Sequence, residues 1–214
     1  MLNNKSCILR LSKYKKTLKR LKVLGFKKVF SDNLADAIGV SSAQVRKDFS
    51  MFDITGNKKA GYTIDDLIER LNCVLGRDEY QNVIIIGAGS IGSALIKYQG
   101  FDKEGIKILA AFDTDERKVA RDNAVPILPA EELKSFVKNN NITIGIICVP
   151  DLYAQQTVEL MIDAGIKGAL NFAPVNLRVP SDFVIESINL EMELEAVIYF
   201  VNALDNDKRK ISIL

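Results

Sequence analysis

The sequence contains no histidine and only three cysteines in 214 residues. The absence of histidine removes the commonest general acid or base and the commonest zinc ligand. Cys7, Cys73 and Cys148 have neither metal-site nor redox-motif spacing, and their odd number argues against a disulfide framework. We therefore predict buried free thiols and no metal site.

Long apolar runs are missing as well. The longest, such as 83–88 and 142–150, are under ten residues, whereas a membrane-spanning helix needs about 20. The N-terminus is polar and basic and no apolar segment follows it, so we expect no signal peptide. Together these absences predict a cytoplasmic protein that neither spans nor binds a membrane.

Negative charge is absent from the N-terminal region. Residues 1–31 include ten Lys and Arg but no Asp or Glu, whereas the chain from residue 80 onward has 13 basic and 18 acidic residues. The net charge of +2 thus averages two regions of opposite character. This asymmetry favours a basic head that contacts a polyanion, followed by an ordinary acidic domain.

The first part of the head is predicted to form two helices. Apolar residues recur at three- and four-residue steps and indicate an amphipathic helix with its lysines on the opposite face: Leu11, Tyr14, Leu18 and Leu21. Gly25 ends this helix. Ser31 is expected to cap a second helix, which Gly39 ends.

A helix-turn-helix is predicted around residues 31–49. Ser41 followed by Gln44 has the spacing of a capping box, and the helix that it opens buries Val45 and Phe49. Its polar residues are expected to face solvent and contact DNA: Ser42, Gln44, Arg46 and Lys47. Such a helix fits the major groove, where Gln and Arg pair with base edges and Lys meets phosphate.

The segment 55–62 resembles the wing of a winged helix. It is a glycine-punctuated hairpin with Lys58 and Lys59 at its tip, and Tyr62 closes it, so these three residues are predicted to reach DNA. Thr63 is expected to cap a fourth helix that Gly76 ends. A charged linker, 77–80, follows.

The next segment carries a dinucleotide-binding fingerprint. The apolar strand 83–86 leads into a glycine loop and then a helix, and the loop residues are predicted to bind the cofactor: Gly87, Ala88, Gly89, Ser90, Ile91 and Gly92. A second strand, 106–112, ends at Asp113, 21 residues after Gly92. A carboxylate there would bind the adenosine ribose and repel a 2′-phosphate, which favours NAD over NADP.

The remaining chain alternates as a parallel α/β sheet should. Helices are predicted at 115–121, 131–139 and 152–164, and strands at 125–128, 142–149 and 167–172. The strand-ending residues Cys148, Val149 and Pro150, together with the loop 171–175, could border the nicotinamide. The last helix, 192–204, is predicted to turn an apolar face toward the sheet or a partner chain: Leu194, Val197, Ile198 and Val201.

These residues resemble the redox-sensing transcriptional repressors called Rex over nearly the whole chain. The segment 44–52 resembles the family's recognition helix, 87–101 its nucleotide loop and following helix, and the most specific match is the eleven-residue stretch 165–175. The resemblance implies a homodimer that exchanges its C-terminal helix. It also implies that NADH releases the protein from a palindromic DNA operator and that NAD⁺ permits binding.

The chain departs from the family pattern at positions that matter. In the wing, Asp53 stands where the family usually has glycine, and Lys58 and Lys59 replace Arg and Gly. The resemblance implies a switch in which an Asp alternates between an Arg and a tyrosine that matches Tyr98. Here the first two positions are Lys16 and Asn189, and Asn cannot form that ion pair.

The sequence therefore predicts an α/β protein with a defined domain order. A winged helix-turn-helix domain (1–78) precedes a Rossmann-type, doubly wound parallel sheet that binds NAD(H) (79–189), a dimerisation helix (190–204) and a tail (205–214). The leading hypothesis is an NADH-sensing repressor without enzymatic activity. Two alternatives stay open: a repressor with weak NADH response or another nucleotide ligand such as a CoA ester, and an NAD-dependent oxidoreductase.

Overall fold

The computed structural model describes residues 5–57, 60–77 and 79–211, with side chains up to Leu204. The chain forms two compact units, which are Met1–Tyr80 and Gln81–Leu214. In the part of the chain that the structure describes, no helix is both long and apolar enough to cross a membrane.

The first unit is a winged helix-turn-helix. Its elements are α1 (Lys5–Val23), β1 (Lys28–Val29), α2 (Ser31–Ile38), α3 (Ser42–Ser50), β2 (Tyr62–Thr63) and α4 (Ile64–Val74). The β1 strand, which the sequence analysis missed, pairs antiparallel with β2 at the base of the wing. Gly39 ends α2 in the left-handed conformation, at φ 73°, so that α3 can follow directly.

The core of the head confirms the predicted faces, with two local corrections. Leu11, Tyr14 and Leu18 are buried, but so is Lys15, because it follows Leu11 by one helical turn. Ser31 does not cap α2, since the helix begins there. Instead the Asn33 Oδ1 atom accepts from the N–H group of Phe30, the N-cap, at 3.0 Å.

Helix α4 carries two further corrections. Thr63 occupies the N-cap position but makes no side-chain capping hydrogen bond. Cys73 is exposed rather than buried, because the inward face of α4 is formed by Ile64, Leu67 and Leu71 and Cys73 lies off that face. Of the predicted linker 77–80, Asp78 lies outside the described residues.

The second unit is a Rossmann-type domain. Its elements are β3 (Gln81–Ile86), α5 (Ser90–Ile96), α6 (Gly100–Lys103), β4 (Ile106–Asp113), β5 (Ile127–Pro129), α7 (Leu133–Asn139), β6 (Ile144–Ile147), α8 (Asp151–Ala164), β7 (Gly168–Asn171), β8 (Val184–Ser187) and α9 (Leu190–Ile211). All six strands run parallel in the order β5-β4-β3-β6-β7-β8. The order reverses between β3 and β6, the point at which open α/β sheets bind ligands.

The predicted helix 115–121 is wrong. Only Glu116–Lys118 form one 3-10 turn, because the Asp115 side chain accepts from the N–H group of Arg117 and Val119 is extended. Ala120 then forms an antiparallel bridge with Ile127. The short helix α6 and the edge strand β8 were not predicted.

The last helix, α9, begins at Leu190, the predicted start of the dimerisation helix, and continues to Ile211, so most of the predicted tail is helical. Residues 212–214 lie outside the described part of the chain. The apolar residues predicted to face inward are more than half exposed in the single chain: Leu194, Val197, Ile198 and Val201. This helix therefore does not pack its apolar face on the sheet.

Candidate functional site

A cavity of about 810 Å³ opens at the carboxyl edge of the parallel sheet. It is lined by Asp113 and by seven further residues that were predicted to bind the cofactor, in the glycine loop and after β6: Gly87, Gly89, Ser90, Ile91, Cys148, Val149 and Pro150. Loops that are distant in sequence, with Gly87 and Pro174 separated by 87 positions, meet here because parallel strands end at one edge.

The glycine loop has the geometry of a phosphate-binding turn. Gly87 has φ +99°, and a Cβ atom there would lie 2.5 Å from the Cys148 carbonyl oxygen. A Cβ atom at Gly92 would overlap the Gly87 carbonyl oxygen, so Gly92 permits the close packing of α5 on the loop. At Gly89 nothing lies within 4 Å of such an atom. That open space is a cradle that a side chain would fill, which fits a dinucleotide whose pyrophosphate approaches the backbone.

Asp113 anchors the glycine loop to the end of β4. Its Oδ2 atom accepts from the Ala88 N–H group at 2.8 Å and from the Lys118 Nζ atom at 3.0 Å, while Oδ1 accepts from the Asp115 N–H group at 2.9 Å. Burial alone would raise the pKa of Asp113, but these three hydrogen bonds outweigh burial and lower it. The carboxylate is therefore ionised and fixed in position.

The opposite end of the cavity is apolar. It is formed by the residues that follow β6 and β7 and by the first turn of α8: Cys148, Val149, Pro150, Tyr153, Phe172 and Pro174. Burial raises the pKa of the Cys148 thiol to about 12, so this thiol is neutral. The charged side chains among the described lining residues are Asp113, the last residue of β4, and Asp115 and Lys118, which follow it.

Three of the predicted cofactor residues do not line the cavity. Ala88 contributes its N–H group to Asp113, and Gly92 lies beneath the loop. The Tyr98 ring is exposed and packs edge-on against Phe101, with ring centroids 5.1 Å apart. A role of Tyr98 toward the ligand stays a prediction.

In the head, a fully buried carboxylate holds the recognition helix α3 against α1. Asp48 accepts from the Arg10 Nε and Nη2 atoms at 2.6 and 2.7 Å and from the Tyr14 hydroxyl at 3.0 Å. The Cys7 thiol lies 3.4 Å from Oδ1. The Gln44 side chain, predicted to face solvent, is half-buried and donates to Oδ1 at 2.8 Å. Gln44 therefore does not complete a capping box, although the Ser41 hydroxyl accepts from its N–H group as predicted.

The exposed surface of α3 keeps the predicted basic residues. Arg46 and Lys47 are exposed, Ser42 is half-buried, and Phe49 is buried. The Phe49 ring packs edge-on against Tyr14 of α1 and Tyr62 of the wing. Tyr62 thus braces the wing against α3. The wing residues Lys58 and Lys59 lie outside the described residues.

The two predicted switch residues lie in different elements. Lys16 is exposed on α1. The Asn189 Oδ1 atom accepts from the N–H groups of Glu191 and Met192 at 3.0 and 3.1 Å, so Asn189 caps the N-terminus of α9. Asp53, the departure in the wing, adopts a left-handed conformation at φ 54°, a region that glycine enters most readily and that Asp tolerates better than most other residues.

Sequence reasoning missed several functional residues. Asp48 follows Val45 by three residues, so helical spacing alone could have placed it on the buried face. Lys118 carries no signal of that kind, because its position depends on the 3-10 turn that replaces the predicted helix. The cavity residues contributed by α7 and α8 depend on tertiary packing: Leu133, Gln156, Thr157 and Leu160.

Comparison with known proteins finds a family match in each of the two units. Residues 5–50 match the family described as "Putative DNA-binding protein N-terminus", and residues 78–175 match "CoA binding domain". A curated redox-sensing transcriptional repressor Rex from Desulforamulus reducens is 40% identical over 90% of this chain and 92% of its own. A second, from Syntrophomonas wolfei, is 42% identical over 93% and 95%.

Solved structures of a Rex-family repressor, RSP, resemble the whole chain. At 33% identity and 98% coverage of this chain, the TM-scores are 0.87 for RSP alone and 0.90 for RSP "in complex with beta-NAD+ and operator DNA". RSP with beta-NADH gives a TM-score of 0.85. These matches cover 97–99% of the RSP chains.

A winged helix-turn-helix joined to a Rossmann-type domain with a dinucleotide-shaped cavity defines a class of transcription factors that respond to a nucleotide. The relatives identify the member of this class. The chain belongs to the Rex family of redox-sensing transcriptional repressors. It is a repressor and not an oxidoreductase, since its relatives are named as repressors over nearly their full length.

Proposed function

We propose that this protein is a cytoplasmic homodimeric repressor that binds a palindromic operator and is released from it by NADH. The observation that carries the proposal is the division of the cavity into a charged end at Asp113 and an apolar end at Phe172. RSP, a member of the same family, has been crystallised with NAD⁺ and operator DNA and with NADH. This precedent supports the same two ligands here.

The strand order supports one orientation of the dinucleotide. Asp113 ends β4 and suits the adenosine ribose, while the glycine loop after β3 suits the pyrophosphate. Because β6 and β7 lie on the other side of β3, the second nucleoside would extend toward Val149 and Phe172. NADH is a hydride donor in enzymes, but here it would serve as a signal that the residues of this chain bind and orient.

The apolar end supports a preference for the reduced cofactor. The nicotinamide ring of NAD⁺ is a cation, whereas that of NADH is neutral. No carboxylate among the described lining residues lies on the β6–β7 side, and the Cys148 thiol is neutral. Transferring the cation from water into this end is therefore less favourable than transferring the neutral ring.

The head supplies the surface that would bind DNA. We assign Arg46 to base edges in the major groove and Lys47, Lys58 and Lys59 to phosphates, with Ser42 as a further contact of α3. Gln44 and Tyr62 position the recognition helix and the wing through Asp48 and Phe49. The basic residues of α1 add long-range attraction to the polyanion.

The exposed apolar face of α9 supports a homodimer. Leu194, Val197, Ile198 and Val201 would be costly to leave in water, and a second copy of the chain, docked by exchange of α9, would cover them. A two-fold dimer presents two copies of α3, which is why the operator is expected to be palindromic. Lys16 and Asn189 stand at the positions of the switch that the family resemblance implies, but position 189 carries an amide instead of the Asp carboxylate.

An operator gel shift titrated with nucleotides tests the proposal. NADH should release the DNA at concentrations at which NAD⁺ does not, because it must bind the operator-free state more tightly. Acetyl-CoA serves as the competing ligand, since the Asp113 carboxylate is unsuited to its 3′-phosphate. Release by acetyl-CoA alone, or equal operator affinity with NAD⁺ and NADH, would overturn the redox function.

Asp113→Ala is expected to weaken NADH binding about 10- to 100-fold, because it removes the ribose contact and releases the Ala88 N–H group. It should also reduce the preference for NADH over NADPH. Without the Asp113 carboxylate, the 2′-phosphate of NADPH is no longer repelled, and the Lys118 ammonium group loses its carboxylate partner and can attract that phosphate. Isothermal titration with both cofactors measures this. Lys118→Met is the control: it should keep NADH affinity within a few-fold and leave NADPH rejected. Unchanged NADH affinity in Asp113→Ala would place the ribose contact elsewhere.

A further inference from the structure

The loop after β7 is shaped by one buried side chain. Asn171, the last residue of β7, is fully buried. Its Oδ1 atom accepts from the Ala173 N–H group at 2.9 Å, and its Nδ2 atom donates to the Ala173 and Val175 carbonyl oxygens at 3.0 and 3.1 Å. The same Nδ2 atom lies 3.2 Å from the Ser187 hydroxyl of β8.

An amide is the side chain that this arrangement requires. The chain leaves the sheet after Phe172, whose N–H group still donates to the Ile147 carbonyl oxygen at 2.9 Å. The polar backbone groups of Ala173 and Val175 therefore have no strand partner. One group must accept from an N–H group and donate to two carbonyl oxygens. A Ser or Thr hydroxyl has only one hydrogen to donate, whereas the Asn amide has two N–H hydrogens and a separate acceptor oxygen. An Asp carboxylate could accept but not donate, and an apolar residue would leave the buried Ala173 N–H group without its acceptor.

The loop that Asn171 shapes is a wall of the cavity. Phe172 and Pro174, on either side of the buried Ala173, line the apolar end. Asn171 itself does not line the cavity, so it acts through these two residues. The charged end at Asp113 is built from β4 and the glycine loop and has no hydrogen bond with Asn171 among the described residues.

We infer that Asn171 is a positioning residue that fixes the Phe172–Pro174 wall and thereby sets discrimination between the reduced and oxidised nicotinamide. The inference rests on the proposed function, because it assigns the nicotinamide to the apolar end. It separates two properties of the site: binding of the adenosine half depends on Asp113 and the glycine loop, whereas discrimination of the redox state depends on the wall.

Titration of the full-length Asn171→Ala variant with three ligands tests the inference. NADH affinity should fall about tenfold or more, and the ratio of NADH to NAD⁺ affinity should shrink. Affinity for ADP-ribose, which lacks the nicotinamide, should stay within about threefold of wild type. A residue that only supports the fold would change all three affinities equally or none of them, and either result overturns the inference.

Two further variants make the result specific. Val83→Ala is a control that truncates a buried side chain near the N-terminal end of β3, away from the cavity. Thermal unfolding measures the loss of stability in this variant, so that it can be compared with the loss in Asn171→Ala. Val83→Ala should leave the affinity ratio unchanged. Where Asn171→Ala does not fold, Asn171→Ser, which retains a small donor and acceptor, is titrated in its place with the same expectations. Failure of wild-type protein to bind NADH would instead refute the proposed function and is seen before any variant is made.

Discussion

Replacing Gly89 by alanine is expected to weaken NADH sensing about 100-fold while leaving the fold intact. Gly89 has an ordinary φ of −72°, and an added Cβ atom would meet no protein atom within 4 Å. The added methyl group would instead occupy the space through which the pyrophosphate approaches the backbone. We expect NADH affinity to fall about 100-fold, equivalent to about 2.7 kcal/mol, with an unchanged melting temperature in the absence of ligand.

Gly92→Ala is the matched control, because it adds the same methyl group three residues away. There the new atom would overlap the Gly87 carbonyl oxygen, so the helix and the loop must separate. This variant should lower the melting temperature as well as the NADH affinity. In gel shifts, release of Gly89→Ala from the operator should require about 100-fold more NADH than release of the wild type. Wild-type NADH affinity in Gly89→Ala would show that the dinucleotide does not use the glycine loop.

Replacing Asp48 by alanine is expected to abolish operator binding regardless of the nucleotide. The change removes the acceptor of Arg10, Tyr14 and Gln44 at once and leaves the Arg10 guanidinium, only 22% exposed, without its carboxylate. Breaking such a pair from one side costs about 3–5 kcal/mol, a large fraction of the stability of a small domain. The recognition helix would then lose its fixed position on α1.

Measurement of two affinities on the same sample distinguishes local from general damage. Asp48→Ala should lose operator binding in gel shifts yet keep NADH affinity in titrations, since the cavity belongs to the other unit. Asp65→Ala is a suitable control: it removes a carboxylate that pairs with Lys22 on the surface, with both side chains more than half exposed, and should have little effect. Wild-type operator affinity in Asp48→Ala would contradict the positioning role.

The pH dependence of the head follows from the same carboxylate. Burial by itself would raise the pKa of Asp48, but hydrogen bonds from Arg10, Gln44 and Tyr14 outweigh burial and lower it from 3.8 to about 2. A depressed pKa in the folded state stabilises the protein above pH 4, and that stabilisation is lost as the pH falls from about 4 to about 2. Asp48→Asn should be less stable at pH 7 and show a weaker loss over this range.

Much of the fold could be predicted because local signals coincided with tertiary ones. The glycine loop, the apolar strand 83–86 before it and Asp113 after the next strand occur at a fixed spacing, and the structure brings them to one cavity. The predicted helix 115–121 was wrong because Asp115 and Arg117 satisfy each other locally and end the turn. Edge strand β8 was missed because only two of its four residues are even half-buried, which leaves a weak apolar pattern.

The sequence by itself determined the two domains, the recognition helix and the glycine loop, since each depends on residue types at short spacing: apolar periodicity, an N-cap, and glycines that avoid a clash. Only the tertiary structure decided what the polar side chains do. Gln44 turned inward to Asp48, Lys118 paired with Asp113, and Asn171 shaped a loop beside the cavity. The physical reason is that a buried polar group must find a partner, and that partner lies in an element that folding, not sequence spacing, brings near.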